Sequence, residues 1–154
     1  MLRTVTVSSV LNAPADVIWA RLGHVETLRY IARPFAYFTP LDDDEAEWKA
    51  GAGYRFRFRV FGVLPMGIHH ISVARWDRDN WHIETHESDR LAKIWNHTIR
   101  LEPQADSRTQ YTDIVEIDAG RLTWLVKCWS LMFYRHRQRR WKRLLSLSNE
   151  RNTL

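Results

Sequence analysis

Hydrophobic and polar positions alternate with a period of two along most of the chain up to Asp118, and switch to a helical period after Gly120. Arg3 to Leu11 carries Val5, Val7 and, less cleanly, Ser9 and Leu11 on one face, which predicts a strand. Asn12-Ala13-Pro14 then prepares a helix, with Asn12 or Ala13 at the cap, Pro14 in the first turn and Asp16 at the positive end. Val17, Ile18 and Leu22 form its apolar side and Gly23 stops it; a second short helix, Val25 to Ile31, breaks before Pro34. Phe35 to Leu41 is a short apolar segment before the acidic loop Asp42-Asp43-Asp44-Glu45. Tyr54, Phe56, Phe58 and Val60 share one side of the next strand, and Arg55, Arg57 and Arg59 take the wet side.

Gly62 to Gly67 predicts a turn. Two hairpins follow: Ile68–Trp76 with Trp81–Glu87 around Asp77-Arg78-Asp79-Asn80, then Lys93–Glu102 with Thr109–Asp118 around Pro103–Arg108. Beyond Gly120 one long helix is expected from about Leu122 to Leu147. At 100° per residue, Leu122, Leu125, Val126, Trp129, Met132, Phe133, His136, Arg140, Leu144 and Leu147 share a face. The economical arrangement is an α+β domain, a curved antiparallel sheet of about seven strands wrapped around the long C-terminal helix, with two short helices after the first strand. No repeat or Pro/Gly/Ser linker divides the chain, so residues 1–154 read as one domain.

Composition refines this picture in three places. Eight tryptophans imply a thick core, a cavity lining or an exposed aromatic surface. The net charge of +5 is concentrated: residues from Arg121 onward hold nine Arg or Lys against Glu150, so residues 1–120 are net acidic. The single cysteine, Cys128, permits no intrachain disulfide and suits a reducing, cytoplasmic setting. The strongest apolar run, Leu122 to Tyr134, is interrupted by Lys127 and falls short of the roughly twenty residues of a membrane span.

The stretch Val7-Ser8-Ser9-Val10-Leu11-Asn12-Ala13-Pro14-Ala15-Asp16-Val17-Ile18-Trp19, with Trp95-Asn96-His97-Thr98-Ile99 and Tyr111-Thr112-Asp113-Ile114-Val115-Glu116, resembles the START-related SRPBCC superfamily. That superfamily includes polyketide cyclases and plant pollen-allergen proteins, and the likeness covers the whole chain through its element order. It implies a helix-grip fold with a cavity between sheet and helix for lipids, polyketides or other apolar metabolites. It implies no reaction, because the superfamily is defined by fold.

Candidate chemistry is sparse. If Leu101 faces Thr109 across the second hairpin, His97 lies opposite Asp113 on the more apolar face. Such a pair would serve either as an oriented general base or ligand anchor, or simply as a self-satisfied polar pair stiffening the sheet. His136 and Arg140, one turn apart, either receive a ligand's carboxylate or phosphate at the cavity mouth or stand in solvent.

Among the other histidines, His69, His70, His82 and His86, the last two would sit about 13 Å apart along a strand, so no metal site is expected. Gly51-Ala52-Gly53 lacks the third glycine of a dinucleotide fingerprint, and no cofactor is expected. The basic stretch Arg135-His136-Arg137-Gln138-Arg139-Arg140-Trp141-Lys142-Arg143 spreads around its helix rather than forming a stripe, which argues against nucleic acid and leaves an acidic partner as one reading. Trp124, Cys128 and Leu131 lie off the main apolar face and suggest a homodimer.

These features lead to binding of a small hydrophobic ligand, lined by Tyr54, Phe56, Phe58, Trp95, His97, Ile99, Tyr111, Asp113, Val115, Trp129 and Phe133, with His136 and Arg140 at the mouth. The alternatives are a cyclase or dehydratase using His97 and Asp113 for proton transfer, and an interaction module using the basic helix.

Overall fold

The alternating segments form strands and the helical segments form helices in the expected order. A computed structural model describes residues 1–42 and 47–151, with side chains to 148. Strand β1 (Arg3–Leu11) leads into helices α1 (Ala15–Leu22) and α2 (Val25–Ala32). Strands β2 (Ala36–Pro40), β3 (Gly53–Val60), β4 (Leu64–Asp77), β5 (His82–Ser88), β6 (Ile94–Gln104) and β7 (Arg108–Asp118) follow, and α3 (Thr123–Arg151) closes the chain. Of the acidic loop, Asp42 pairs with Arg55 at 2.6 Å, while residues 43–45 lie outside the described residues.

The sheet is antiparallel throughout, in the order β1-β7-β6-β5-β4-β3-β2. It curls around α3, the helix-grip arrangement. Gly120, at φ 59, reverses the chain between β7 and α3, and the Thr123 hydroxyl accepts from the Ala119 amide at 2.9 Å at the helix start.

Several local expectations are corrected. Pro14 is the cap of α1 rather than a first-turn residue, and Val17 is exposed while Trp19 takes its place inside. Residues 62–67 are not one turn. β4 begins at Leu64, and Gly67, at φ 90, sits opposite Phe58 where the register shifts, a bulge that lets a longer strand bend. Trp81, at φ 51, belongs to the first hairpin's turn rather than to a strand.

In the second hairpin Gln104 pairs with Arg108, so Leu101 faces Tyr111, not Thr109, and Asp113 faces Ile99. Asp106 and Ser107 adopt left-handed conformations that close a loop shorter than the sequence suggested. A slip of two residues leaves every side chain on its face.

The largest correction concerns α3. Leu122, just before the helix, and Leu125, Met132 and Leu147 on it are exposed, and the buried face carries Val126, Ser130, Phe133, Tyr134, Arg137, Gln138, Trp141 and Leu145. Ser130, Arg137 and Gln138 belong to the interior although their type assigns them to water, so a count of hydrophobic positions rotates the face away from them. The interior forms two apolar clusters, one around Trp95, Val115, Phe133 and Tyr134, the other around Trp19, Tyr111 and Trp141.

Candidate functional site

Each inward position on the concave face of a strand is normally apolar, yet four neighbouring strands here place polar groups there in a row. His69 comes from β4, Thr85 and Glu87 from β5, His97 from β6 and Asp113 from β7. Asp89, just after β5, joins from the side. The imidazole of His69 donates from Nε2 to Glu87 Oε2 (2.7 Å) and from Nδ1 to Asp89 Oδ2 (3.1 Å). The Thr85 hydroxyl donates to Glu87 Oε1 (2.7 Å), and the amides of Leu91 and Ala92 donate to Asp89 Oδ1 (2.8 and 2.7 Å). His97 Nε2 donates to Asp113 Oδ1 (2.8 Å), and Gln138 of α3 donates to Asp113 Oδ2 (3.0 Å) and to the Val7 carbonyl (2.7 Å). Every carboxylate oxygen of this cluster therefore has a donor, which is what burial of charge demands.

Burial alone would drive His69 toward its neutral form, but the carboxylates of Asp89 and Glu87 outweigh it and hold its pKa at about 9. Burial raises the Glu87 and Asp89 carboxyls, and hydrogen bonds and charge, from His69 above all, bring both below their ordinary range. His69 is thus an imidazolium clamped between two carboxylates. His97 differs: its Nδ1 lies 3.9 Å from Glu87 Oε1, beyond hydrogen-bond reach, and has no partner among the described residues. Tyr134 accepts from the Trp95 indole (3.1 Å), and burial pushes its phenol far up, so it stays protonated.

A cavity of about 90 Å³ lies between the sheet, α2 and α3, several times what one ordered water requires. Its apolar wall includes Leu28 and Ile31 of α2, Phe38, Phe58, Ile71, Ile83, Ile99, Phe133 and the four indoles of Trp48, Trp76, Trp95 and Trp129. Its polar patch is His69, Thr85, Glu87, Asp89, His97, Tyr134 and Arg137. An apolar hollow with a few convergent polar groups is the usual form of a small-molecule site.

Of the residues expected to line it, Phe58, Trp95, His97, Ile99, Trp129 and Phe133 do so. Phe56, Tyr111 and Val115 are buried in the packed core instead. Tyr54 is not part of the lining: it meets Trp48 edge to face and donates to the Glu47 carbonyl (2.7 Å). Asp113 stands behind His97, fully covered. His136 and Arg140 are neither at a mouth nor free in solvent. His136 donates to the Arg33 carbonyl (2.7 Å) and stacks on Phe35, and Arg140 donates twice to the Tyr30 carbonyl (3.2 and 3.1 Å) and covers the Tyr30 ring. Both latch α3 to the end of α2.

The basic stretch is divided accordingly: Arg137 and Arg140 turn inward, while Arg135, Arg139, Lys142 and Arg143 stay exposed. Of the supposed dimer contacts, Trp124 is well exposed and Cys128 and Leu131 are half-buried. Among the described residues no cluster of His, Cys, Asp or Glu could hold a metal, and no helix is long and apolar enough to cross a membrane.

His69, Glu87, Asp89, Tyr134 and Arg137 were missed by sequence reasoning. The alternation of β4 does place His69 on the side of Ile71 and Val73, and that inward parity was the available signal. No comparable signal marked Arg137, which only the packing of α3 reveals.

Residues 9–145 match a family described as "Domain of unknown function (DUF8410)". No curated protein sequence matches the chain. Solved structures share its fold at low identity. Protein CV1439 from Chromobacterium violaceum superposes with a TM-score of 0.70 at 16% identity, over 92% of this chain and 95% of that one. A START superfamily protein from Mycobacterium smegmatis gives 0.70 at 11% identity over 94% and 97%. The protein Ara h 8.0201 gives 0.62 at 12% identity over 89% and 95%. The START-like fold expected from the sequence is the fold of this chain.

Proposed function

Because the chain belongs to the DUF8410 family and has a START-like helix-grip fold, we propose that it binds a small, largely apolar molecule in the cavity between sheet and helix. One observation carries this reading: the cavity combines an aromatic and aliphatic wall with a compact polar patch at one place on it. Native mass spectrometry of the purified protein, with extraction of whatever travels with it, tests the reading. A stoichiometric apolar companion supports carriage or sequestration. A ligand-free protein that gains no thermal stability from a broad panel of lipids, polyketides and aromatic metabolites would sink it.

A second reading, proton-transfer catalysis of the cyclase or dehydratase kind, is favoured by one specific contact. His97 is oriented by Asp113 through Nε2, while its unbonded Nδ1 belongs to a ring on the cavity wall. That is the arrangement in which a carboxylate fixes a histidine's tautomer and the other nitrogen accepts a proton from a bound carbon acid. The two readings separate on His97→Gln. A carrier keeps its ligand affinity within a few-fold, whereas an enzyme loses turnover while its circular dichroism and melting temperature stay close to wild type.

A further inference from the structure

Arg137 is 95% buried, projects from the inner face of α3 onto the cavity wall, and has no hydrogen-bond acceptor or ion-pair partner among the described residues. Its guanidinium lies over the Tyr134 ring at 4.9 Å and the Phe133 ring at 5.6 Å. Those contacts are with ring faces and satisfy no N–H donor, and the buried Nε has no partner among the described residues. Next to it the Tyr134 hydroxyl accepts from Trp95 but donates to no described residue. The nearby carboxylates already have donors of their own: Glu87 accepts from His69 and Thr85, Asp89 from His69 and two amides, Asp113 from His97 and Gln138, and none of them is hydrogen-bonded to Arg137.

A buried guanidinium without an acceptor is costly, and its fork matches an oxyanion such as a carboxylate through two parallel N–H···O bonds. Resting on the cavity reading above, we propose that the ligand is an amphipathic acid: a flat apolar body among the indoles, with one carboxylate received by Arg137 and the Tyr134 hydroxyl. Glu87 also lines the cavity, but the His69 imidazolium offsets its charge at contact distance, whereas Arg137 has no such direct counter-ion. Asp113 and Glu87 act on the guanidinium through space without bonding to it, so an added carboxylate would be its first hydrogen-bonded anion among the described groups.

Calorimetric titration of the intact protein with 2-naphthoate and with its neutral isostere 2-naphthamide tests this. Wild type is expected to bind the carboxylate at least tenfold more tightly than the amide. In Arg137→Met that preference should collapse to within about twofold, and in Arg137→Lys, which keeps charge but not the fork, it should fall several-fold. If the methionine variant does not fold, the lysine variant decides. Equal affinity for the two probes in wild type, or a preference that both variants keep, overturns the assignment of Arg137 and leaves the cavity reading standing. Binding of neither probe at millimolar concentration overturns the acid assignment, and the cavity reading is then decided by the broader ligand panel. Because Arg137 is buried, a preference that depends on it also locates the probe inside the fold.

Discussion

Among the described residues His69 has the only imidazole bonded through both nitrogens to carboxylates, and its protonation should be visible in stability. Its folded pKa of about 9 lies above the unfolded value, so its contribution is complete below about pH 6.5 and lost as pH rises through 9. The linkage corresponds to roughly 3 kcal/mol as an order of magnitude. Thermal unfolding between pH 6.5 and 10 should show a decline in wild type and a flatter profile in His69→Gln. Glu87 and Asp89 act in the opposite sense, being held below their ordinary range, so the stability they supply is lost as acid protonates them. At this scale the sequence was readable only in part. That His97 and Asp113 share a face followed from parity along two strands, but they meet diagonally, since the true register sets His97 opposite Val115 rather than Asp113. The residues around it come from β4, β5 and α3, and no local pattern says which distant polar groups will meet.

Helix α3 separates hydrophobic type from hydrophobic position. Trp141 is fully buried against Tyr111, whereas Met132 and Leu125, equally apolar, are more than half exposed. Trp141→Ala should cost about 3–5 kcal/mol in urea unfolding. Met132→Ala and Leu125→Ala should stay within about 0.5 kcal/mol, the ordinary range for surface positions. The latch to α2 offers a second check. Arg140→Met removes two charge-assisted hydrogen bonds from the Tyr30 carbonyl, worth about 1.5–3 kcal/mol. Hydrogen exchange should then rise in α2 before it rises in the central strands. The boundaries of the elements were largely legible because alternation and helical period are local. The orientation of α3 was not, since its inner face is set by buried Arg137 and Gln138, which a pattern of apolar residues counts as outside.

For the whole molecule the seven-strand sheet, the two short helices and the closing helix follow from element order. The cavity does not, because filled and hollow interiors need the same apolar faces. Occupancy should appear as stabilisation that grows with the logarithm of free ligand, about 2.7 kcal/mol at one hundred times Kd. A melting temperature that rises with 2-naphthoate concentration in wild type, and less in Arg137→Met, checks it. The tryptophans give that occupancy an optical meaning. Four of the eight, Trp48, Trp76, Trp95 and Trp129, border the hollow, while Trp124 stands in water and Trp141 is sealed against Tyr111. An aromatic guest would quench or redirect emission from the first group and leave Trp124 and Trp141 less affected. The chain therefore carries both a fluorescent reporter and its internal reference, with no dye attached.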